Sequence, residues 1–142
     1  MIDTISENLE IADFAFESHP ELEKNWKKWM ILSLLDKYKN NIIFDKDKNG
    51  IYGLAVFFRL SDDMLMKVIN GEIKIKPFRA ILPLFKETGD NILVIGLVAR
   101  DFKSIRVGFR RLIEQENPNI IAWLEERKHI KKWCIHQGRK NG

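Results

Sequence analysis

The chain contains a single cysteine, Cys134, among its 142 residues. One thiol excludes an internal disulfide and any zinc site built from several cysteines. No apolar run reaches the roughly 20 residues that a membrane-spanning helix needs. The N-terminus also lacks the basic-then-apolar pattern of a secretory signal. We therefore expect a cytoplasmic protein without a membrane span.

The sequence signatures of several common catalytic sites are missing as well. The chain has no HExxH helix, no phosphate-binding Walker loop and no GxSxG nucleophile motif. Its three histidines are not spaced as metal ligands. We therefore predict no metal site.

Positive charge is absent from the first 23 residues, which contain seven acidic residues and no lysine or arginine. The segment Arg100–Arg111 instead holds five basic residues against one acidic residue, and Arg127–Lys140 adds six basic residues and no acid. A basic surface of this kind suits a phosphate-bearing ligand, an acidic partner or nucleic acid. For the C-terminal run, an ordinary solvated surface is the simpler interpretation.

Apolar periodicity and turn residues predict the order of the helices and strands. The predicted helices are 4–17, 20–39, 62–69 and 104–115, and the predicted strands are 42–45, 51–59, 92–99, 120–125 and 130–136. Asn49-Gly50 predicts a hairpin turn, Ser61 a helix cap, and Ile73–Ile75 a short edge strand. Pro77 and Pro83 are expected to break any long element, and Trp26, Trp29 and Trp123 are expected to lie in the core.

The order of helices and strands predicts one α/β domain over residues 1–142, with a mixed sheet covered by helices. Residues 137–142 are expected to form a flexible tail.

The most informative segment is Ile92–Leu112, in which an apolar strand leads through a basic loop into an amphipathic helix. The apolar positions of this helix are Ile105, Phe109, Leu112 and Ile113, which follow a 3.6-residue period. The N–H groups at a helix start attract anions, and Lys103 and Arg106 add positive charge there. The segment therefore predicts a pyrophosphate site.

This segment resembles the central motif of the GNAT N-acyltransferases, which holds the pyrophosphate of acyl-CoA. The motif is approximately Val-x-Pro-x-x-(Arg/Gln)-x-x-Gly-x-(Gly/Ala)-x-x-Leu. Val98 and Gly108 are in register with it, and Lys103 replaces its arginine or glutamine. Arg100 replaces the proline, Arg106 replaces the first glycine, and the closing leucine falls on Arg111 with Leu112 one position late. The resemblance implies a GNAT-like α/β fold and a bound acetyl-CoA or other acyl-CoA. Its cofactor residues would be Val98, Lys103, Ser104, Ile105, Arg106, Val107 and Gly108.

A second resemblance covers residues 18–102. The chain carries Leu22-Glu-Lys-Asn25-Trp26 before a long predicted helix, then a hairpin, a Leu-Ser-Asp step and Gly89-Asp90 before the apolar strand. This order is similar to that of the toxin-activating lysine acyltransferases, which acylate protein lysines from acyl carrier protein. The catalytic histidine of that family falls on Glu23 and its strand aspartate falls on Gly96. The candidate catalytic base is therefore Glu23, with His19 one helical turn earlier.

Two functions remain open. The first is an N-acyltransferase that uses acyl-CoA or acyl carrier protein and acts on an amine of a protein or small molecule. In GNAT chemistry the amine attacks the thioester, a strand N–H polarises the carbonyl and a base takes the proton. Gly96 marks either the bulge that exposes that N–H or a relief of packing against Phe or Trp. Further candidate bases are Glu72, Glu87 and Asp90, and candidate acids are His129 and Cys134.

The second function is a GNAT-like protein that has lost catalysis and binds a partner. The partner would be a protein or, with less support, nucleic acid, and the protein itself would be encoded by a phage or mobile element. Arg106 in place of a motif glycine favours this function, because a bulky side chain blocks the close approach of backbone to pyrophosphate. Gly108 and Lys103 favour the enzyme.

Overall fold

A computed structural model of the chain describes residues 4–18, 20–24, 27–75, 78–127 and 130–137. In this part of the chain the α-helices are α1 (Thr4–Ser18), α2 (Lys28–Lys37), α3 (Asp62–Ile69) and α4 (Phe102–Glu116). The strands are β1 (Ile42–Asp47), β2 (Gly50–Leu60), β3 (Asn91–Ala99), β4 (Ile120–Arg127) and β5 (Ile130–Gln137). Short 3-10 helices occupy Pro20–Lys24, Lys39–Asn41 and Phe78–Lys86. No helix in these ranges is long and apolar enough to cross a membrane.

The five strands form one sheet in the order β1-β2-β3-β4-β5. Strand β3 pairs with β4 in parallel, and β4 pairs with β5 in antiparallel register. The N–H of Arg100 donates to the carbonyl of Tyr52 at 2.9 Å, and Gly96 lies beside Val56, so β3 runs antiparallel to β2. The predicted mixed sheet flanked by helices is confirmed.

The contacts divide the chain into two compact units. The first consists of Met1–Ala55 and Leu97–Gly108, and the second of Val56–Gly96 and Phe109–Gly142. The core of the first unit contains Ile11, Ala12, Leu35, Ile51 and Leu54. The core of the second unit contains Phe58, Leu60, Leu65, Val68, Ile81, Leu84, Leu93 and Ala122.

Turn and cap residues act as the sequence predicts at three boundaries. Gly50 has a positive φ of 106° at the β1–β2 turn, a conformation that glycine adopts without strain. Ser61 caps α3, because its hydroxyl accepts the N–H of Met64 at 3.2 Å. Asn117 ends α4 in the left-handed region, with φ of 46°, directly before Pro118.

The prediction of one helix over residues 20–39 is wrong. Lys27 has an extended backbone, with φ of −87° and ψ of 152°, and it separates the 3-10 helix from α2. Because α2 starts anew at Lys28, it buries Leu35 and leaves Trp29 64% exposed, so the prediction that Trp29 lies in the core is wrong too. Trp26 lies outside the described residues.

The stretch between α3 and β3 also differs from its prediction. Ile73 and Ile75 do not form a strand and instead pack against the core of the second unit as partly buried side chains. Pro83 does not interrupt the 3-10 helix Phe78–Lys86, in which burial of Ile81 and Leu84 outweighs the missing N–H of the proline. Pro77 lies outside the described residues. Gln137 is the last residue of β5, and 138–142 likewise lie outside them.

Candidate functional site

The side chain of Asp101, which is not among the predicted site residues, caps α4 at its junction with β3. The Asp101 carboxylate accepts the N–H of Ser104 at 2.7 Å, and its backbone carbonyl accepts the N–H of Ile105 at 3.2 Å. These bonds start α4 at Phe102, two residues earlier than predicted. The hydrogen bonds from Ser104 hold the pKa of the Asp101 carboxyl below its ordinary value. Aspartate is a preferred N-cap residue, so Asp101 before the periodic segment is the signal that would have predicted this cap.

The early start of α4 decides which groups at the junction face an incoming anion. An α-helix commits each N–H from its second turn onwards to a carbonyl four residues earlier. The N–H groups of Arg106, Val107 and Gly108 are therefore used within the helix, whereas those of Phe102 and Lys103 are not. The side chains of Lys103 and Arg106 are exposed on this first part of α4. Val98 lies in β3, directly before the junction.

Arg100, at the position of the motif's proline, ties the junction to the β1–β2 hairpin. Its Nη1 donates to the Asp47 carboxylate at 3.1 Å, and its Nη2 donates to the carbonyl of Ile51 at 3.4 Å. The guanidinium also lies over the Tyr52 ring, 5.7 Å from its centroid. The side-chain hydrogen bond from Arg100 is the main reason that the pKa of the Asp47 carboxyl is lowered. The arginine therefore fixes the loop that precedes α4.

A narrow cleft lies beside the first turns of α4. Its volume is only about 10 Å³, and it is lined by Ile43, Asp45, Gly53, Leu54, Ala55, Ala99, Ser104 and Gly108. Among the residues that the structure describes, a Cβ at Gly108 would meet no heavy atom within 4 Å. A glycine is therefore not required for close packing at position 108.

No aromatic residue in the described part of the chain crowds Gly96. A Cβ at this position would meet Val56 at 3.8 Å, an ordinary van der Waals distance. The interpretation that Gly96 relieves packing against Phe or Trp is therefore wrong. The alternative, that its strand N–H has a functional role, remains a prediction.

The predicted base Glu23 lies in a second cleft of the first unit. This cleft has a volume of about 490 Å³ and is lined by Asp13, Phe16, Glu17, Glu23, Lys27 and Lys28. Such a volume is within the range of small-molecule sites. Asp13 is paired with Lys28 at 2.6 Å, and Glu23 is exposed to solvent. His19 lies outside the described residues.

The other candidate residues are not brought into either cleft. Glu72 and Asp90 are exposed, and Glu87 and Cys134 are half-buried. None of these four residues is among those that line the two clefts. His129 lies outside the described residues. Within the described ranges, no group of three or more His, Cys, Asp and Glu side chains is arranged to hold a metal ion.

The fold is similar to that of a solved structure, the GNAT-like decarboxylase GphF in complex with isobutyryl-CoA. The TM-score is 0.57 at 8% sequence identity, and the alignment covers 82% of this chain and 62% of that chain. A likeness at this identity shows the fold alone, so the chain has a GNAT-like α/β fold. No protein-family model matches the chain, and no curated protein matches it significantly in sequence.

Proposed function

We propose that this chain binds an acyl-CoA with the pyrophosphate at the β3–α4 junction. The observation that carries the proposal is the exposed pair Lys103 and Arg106 on the first part of α4, in a fold similar to that of a GNAT-like protein solved with isobutyryl-CoA. Two cations at the positive end of a helix attract a diphosphate more strongly than the helix alone.

The Asp101 carboxylate limits how the pyrophosphate is held. It already occupies the N–H of Ser104, and it repels an anion that approaches the same helix end. The Lys103 and Arg106 side chains therefore provide most of the attraction, and the N–H groups of Phe102 and Lys103 add to it. Ser104, Ile105, Val107 and Gly108 then shape the site without donating their backbone N–H groups to the ligand.

The reaction that we propose is acyl transfer to an amine. The amine nitrogen attacks the thioester carbonyl carbon, a C–N bond forms, the C–S bond breaks, and the thiolate leaves. Glu23 takes the proton that the amine loses, directly or through water. The three carboxylates of its cleft outnumber the two lysines, and this net negative charge favours a positively charged amine of a protein or small molecule before it is deprotonated. The acyl donor is acetyl-CoA, another acyl-CoA or acyl carrier protein.

Calorimetric titration with CoA, acetyl-CoA and isobutyryl-CoA tests the binding step. The double charge reversal Lys103→Glu/Arg106→Glu should weaken binding strongly and flatten its dependence on salt, because two attractive charges become repulsive. The matched control is Lys74→Glu/Lys86→Glu, which changes the net charge equally at two exposed positions of the second unit. Equal affinity in wild type and the Lys103/Arg106 variant would exclude the junction as the pyrophosphate site.

The second candidate function is a GNAT-like protein that binds a partner without catalysis. The Asp101 carboxylate at the start of α4 favours it, because the helix end is then already neutralised by the chain itself. A folded wild-type protein that binds none of the three CoA compounds in the titration would support this function.

A further inference from the structure

Three aromatic rings form a row on one side of the second unit. Phe109 of α4 contacts Trp123 of β4, with ring centroids 4.9 Å apart. Trp123 in turn stacks against His136 of β5, with centroids 5.1 Å apart and the planes only 3° from parallel. Trp123 is half-buried and His136 is exposed. The row therefore begins at the helix and ends on an imidazole that faces solvent.

The register of β4 and β5 places these rings on the α4 side of the sheet. Trp123 lies opposite Cys134 in the antiparallel pair, so both side chains point to the same face. Alternation along β5 puts Lys132 and His136 on that face with Cys134. The opposite face carries Trp133, which packs against the core. On the α4 side, Lys132 and His136 are both exposed and Cys134 is half-buried.

Two exposed basic residues lie on the elements that carry this row. Arg110 follows Phe109 on α4 and is exposed. Lys132 is also exposed, and it lies four residues before His136 on β5. A stacked ring beside exposed cations presents both a π-face and a counter-charge for phosphate.

We infer that this aromatic row is a binding surface for single-stranded nucleic acid. A base stacks on the outer face of the His136 ring, which Trp123 holds in place, and the phosphates of the strand lie along Arg110 and Lys132. An open surface beside an edge strand suits an extended strand better than a small nucleotide, which needs a concave site. This inference does not depend on the proposed acyl-CoA site.

Fluorescence anisotropy with a fluorescein-labelled 12-nucleotide oligo-dT, at 50 mM and 200 mM salt, tests the inference. His136→Ala should weaken binding about fivefold or more, because it removes the ring on which a base stacks. His136→Phe should retain most of the affinity, since it keeps an aromatic face. Lys132→Gln should lower the slope of log affinity against log salt by about 0.7, whereas Lys74→Gln, at an exposed position outside the row, should leave the slope unchanged.

Ile135→Ser is the matched control for the ring, because Ile135 is 51% exposed on the opposite face of β5. Equal losses in His136→Ala and Ile135→Ser would overturn the inference, as would equal binding of a 12-base-pair duplex, whose bases are already stacked. The absence of oligonucleotide binding at 50 mM salt would overturn the inference too. In that case, weaker CoA binding by His136→Ala would assign the row to the adenine of CoA. The Lys103/Arg106 variant should bind the oligonucleotide with its His136 dependence intact, which separates this test from that of the proposed function.

Discussion

Replacing Gly89 by alanine should destabilise the protein severely, because the backbone around Gly89 leaves no room for a side chain. A Cβ at this position would overlap the carbonyl group of Leu60 and the amide nitrogen of Ser61. Leu60 is fully buried at the end of β2, and Ser61 caps α3. Neither backbone segment can move away without damage to the strand end or to the cap.

The size of the effect follows from what must be given up to make room for the methyl group. Loss of the Ser61 cap costs about 0.5–2 kcal/mol, and partial exposure of Leu60 costs up to about 1.5–3 kcal/mol. We therefore expect Gly89→Ala to lower the free energy of unfolding by about 2–5 kcal/mol. Since small domains have a total stability of about 5–15 kcal/mol, this single methyl group should remove a large part of it.

Urea unfolding followed by circular dichroism measures the change. Gly53→Ala is the matched control, because among the described residues a Cβ at Gly53 has no heavy atom within 4 Å and the added methyl group therefore makes no clash. Its free energy of unfolding should stay within about 0.5 kcal/mol of wild type, as for substitutions away from packed features. A Gly89→Ala protein whose stability is as close to wild type as that of Gly53→Ala would refute the reasoning from backbone contact.

Three further outcomes are expected. Gly108→Ala should raise the free energy of unfolding by about 0.8–1 kcal/mol, which is the difference in helix propensity between the two residues, because the added methyl group meets no described atom. Urea unfolding measures this change, and a loss of stability would contradict the prediction. The carboxyls of Asp47 and Asp101 have pKa values lowered below 3.8, so the stability that they contribute is complete above pH 3.8 and is lost as the pH falls below it. The midpoint of thermal unfolding in Asp101→Asn should accordingly change less than that of wild type between pH 4 and pH 2. Glu23→Gln should lower the rate of acyl transfer to an amine by about 10²-fold or more without unfolding the protein. If the Glu23→Gln variant kept the turnover of the wild type in an assay with acetyl-CoA, Glu23 would be ruled out as the base.

The elements that could be predicted from the sequence are those fixed by local chemistry. Asn49-Gly50 sets the hairpin because Gly50 adopts positive φ at its turn, and Ser61 starts α3 through a hydrogen bond to a residue three positions away. The apolar stretch from Ile92 is continuous because it forms a central strand of the sheet, between β2 and β4. Each of these signals lies within a few residues of the structure it produces.

The features that could not be predicted depend on distant parts of the chain. The Arg100–Asp47 pair joins residues 53 positions apart, and nothing near either residue in the sequence indicates the partner. The break at Lys27 has no proline or glycine to mark it, so helical periodicity continued through it and placed Trp29 in the core. The position of Glu23 in a cleft likewise follows from how α1, the 3-10 helix Pro20–Lys24 and α2 meet.

Asp101 is the residue at which the two proposed functions differ most clearly. Its carboxylate accepts the N–H of Ser104 and lies at the helix end where the pyrophosphate would bind, so the carboxylate and a bound pyrophosphate repel each other. If the junction holds acyl-CoA, the attraction of Lys103 and Arg106 must exceed the repulsion from this carboxylate, and neutralising it in Asp101→Asn should strengthen binding while the asparagine still caps the helix. If α4 serves only the fold, Asp101→Asn has no ligand to affect. The cap that starts α4 thus determines whether the positive charge beside it is available to a cofactor.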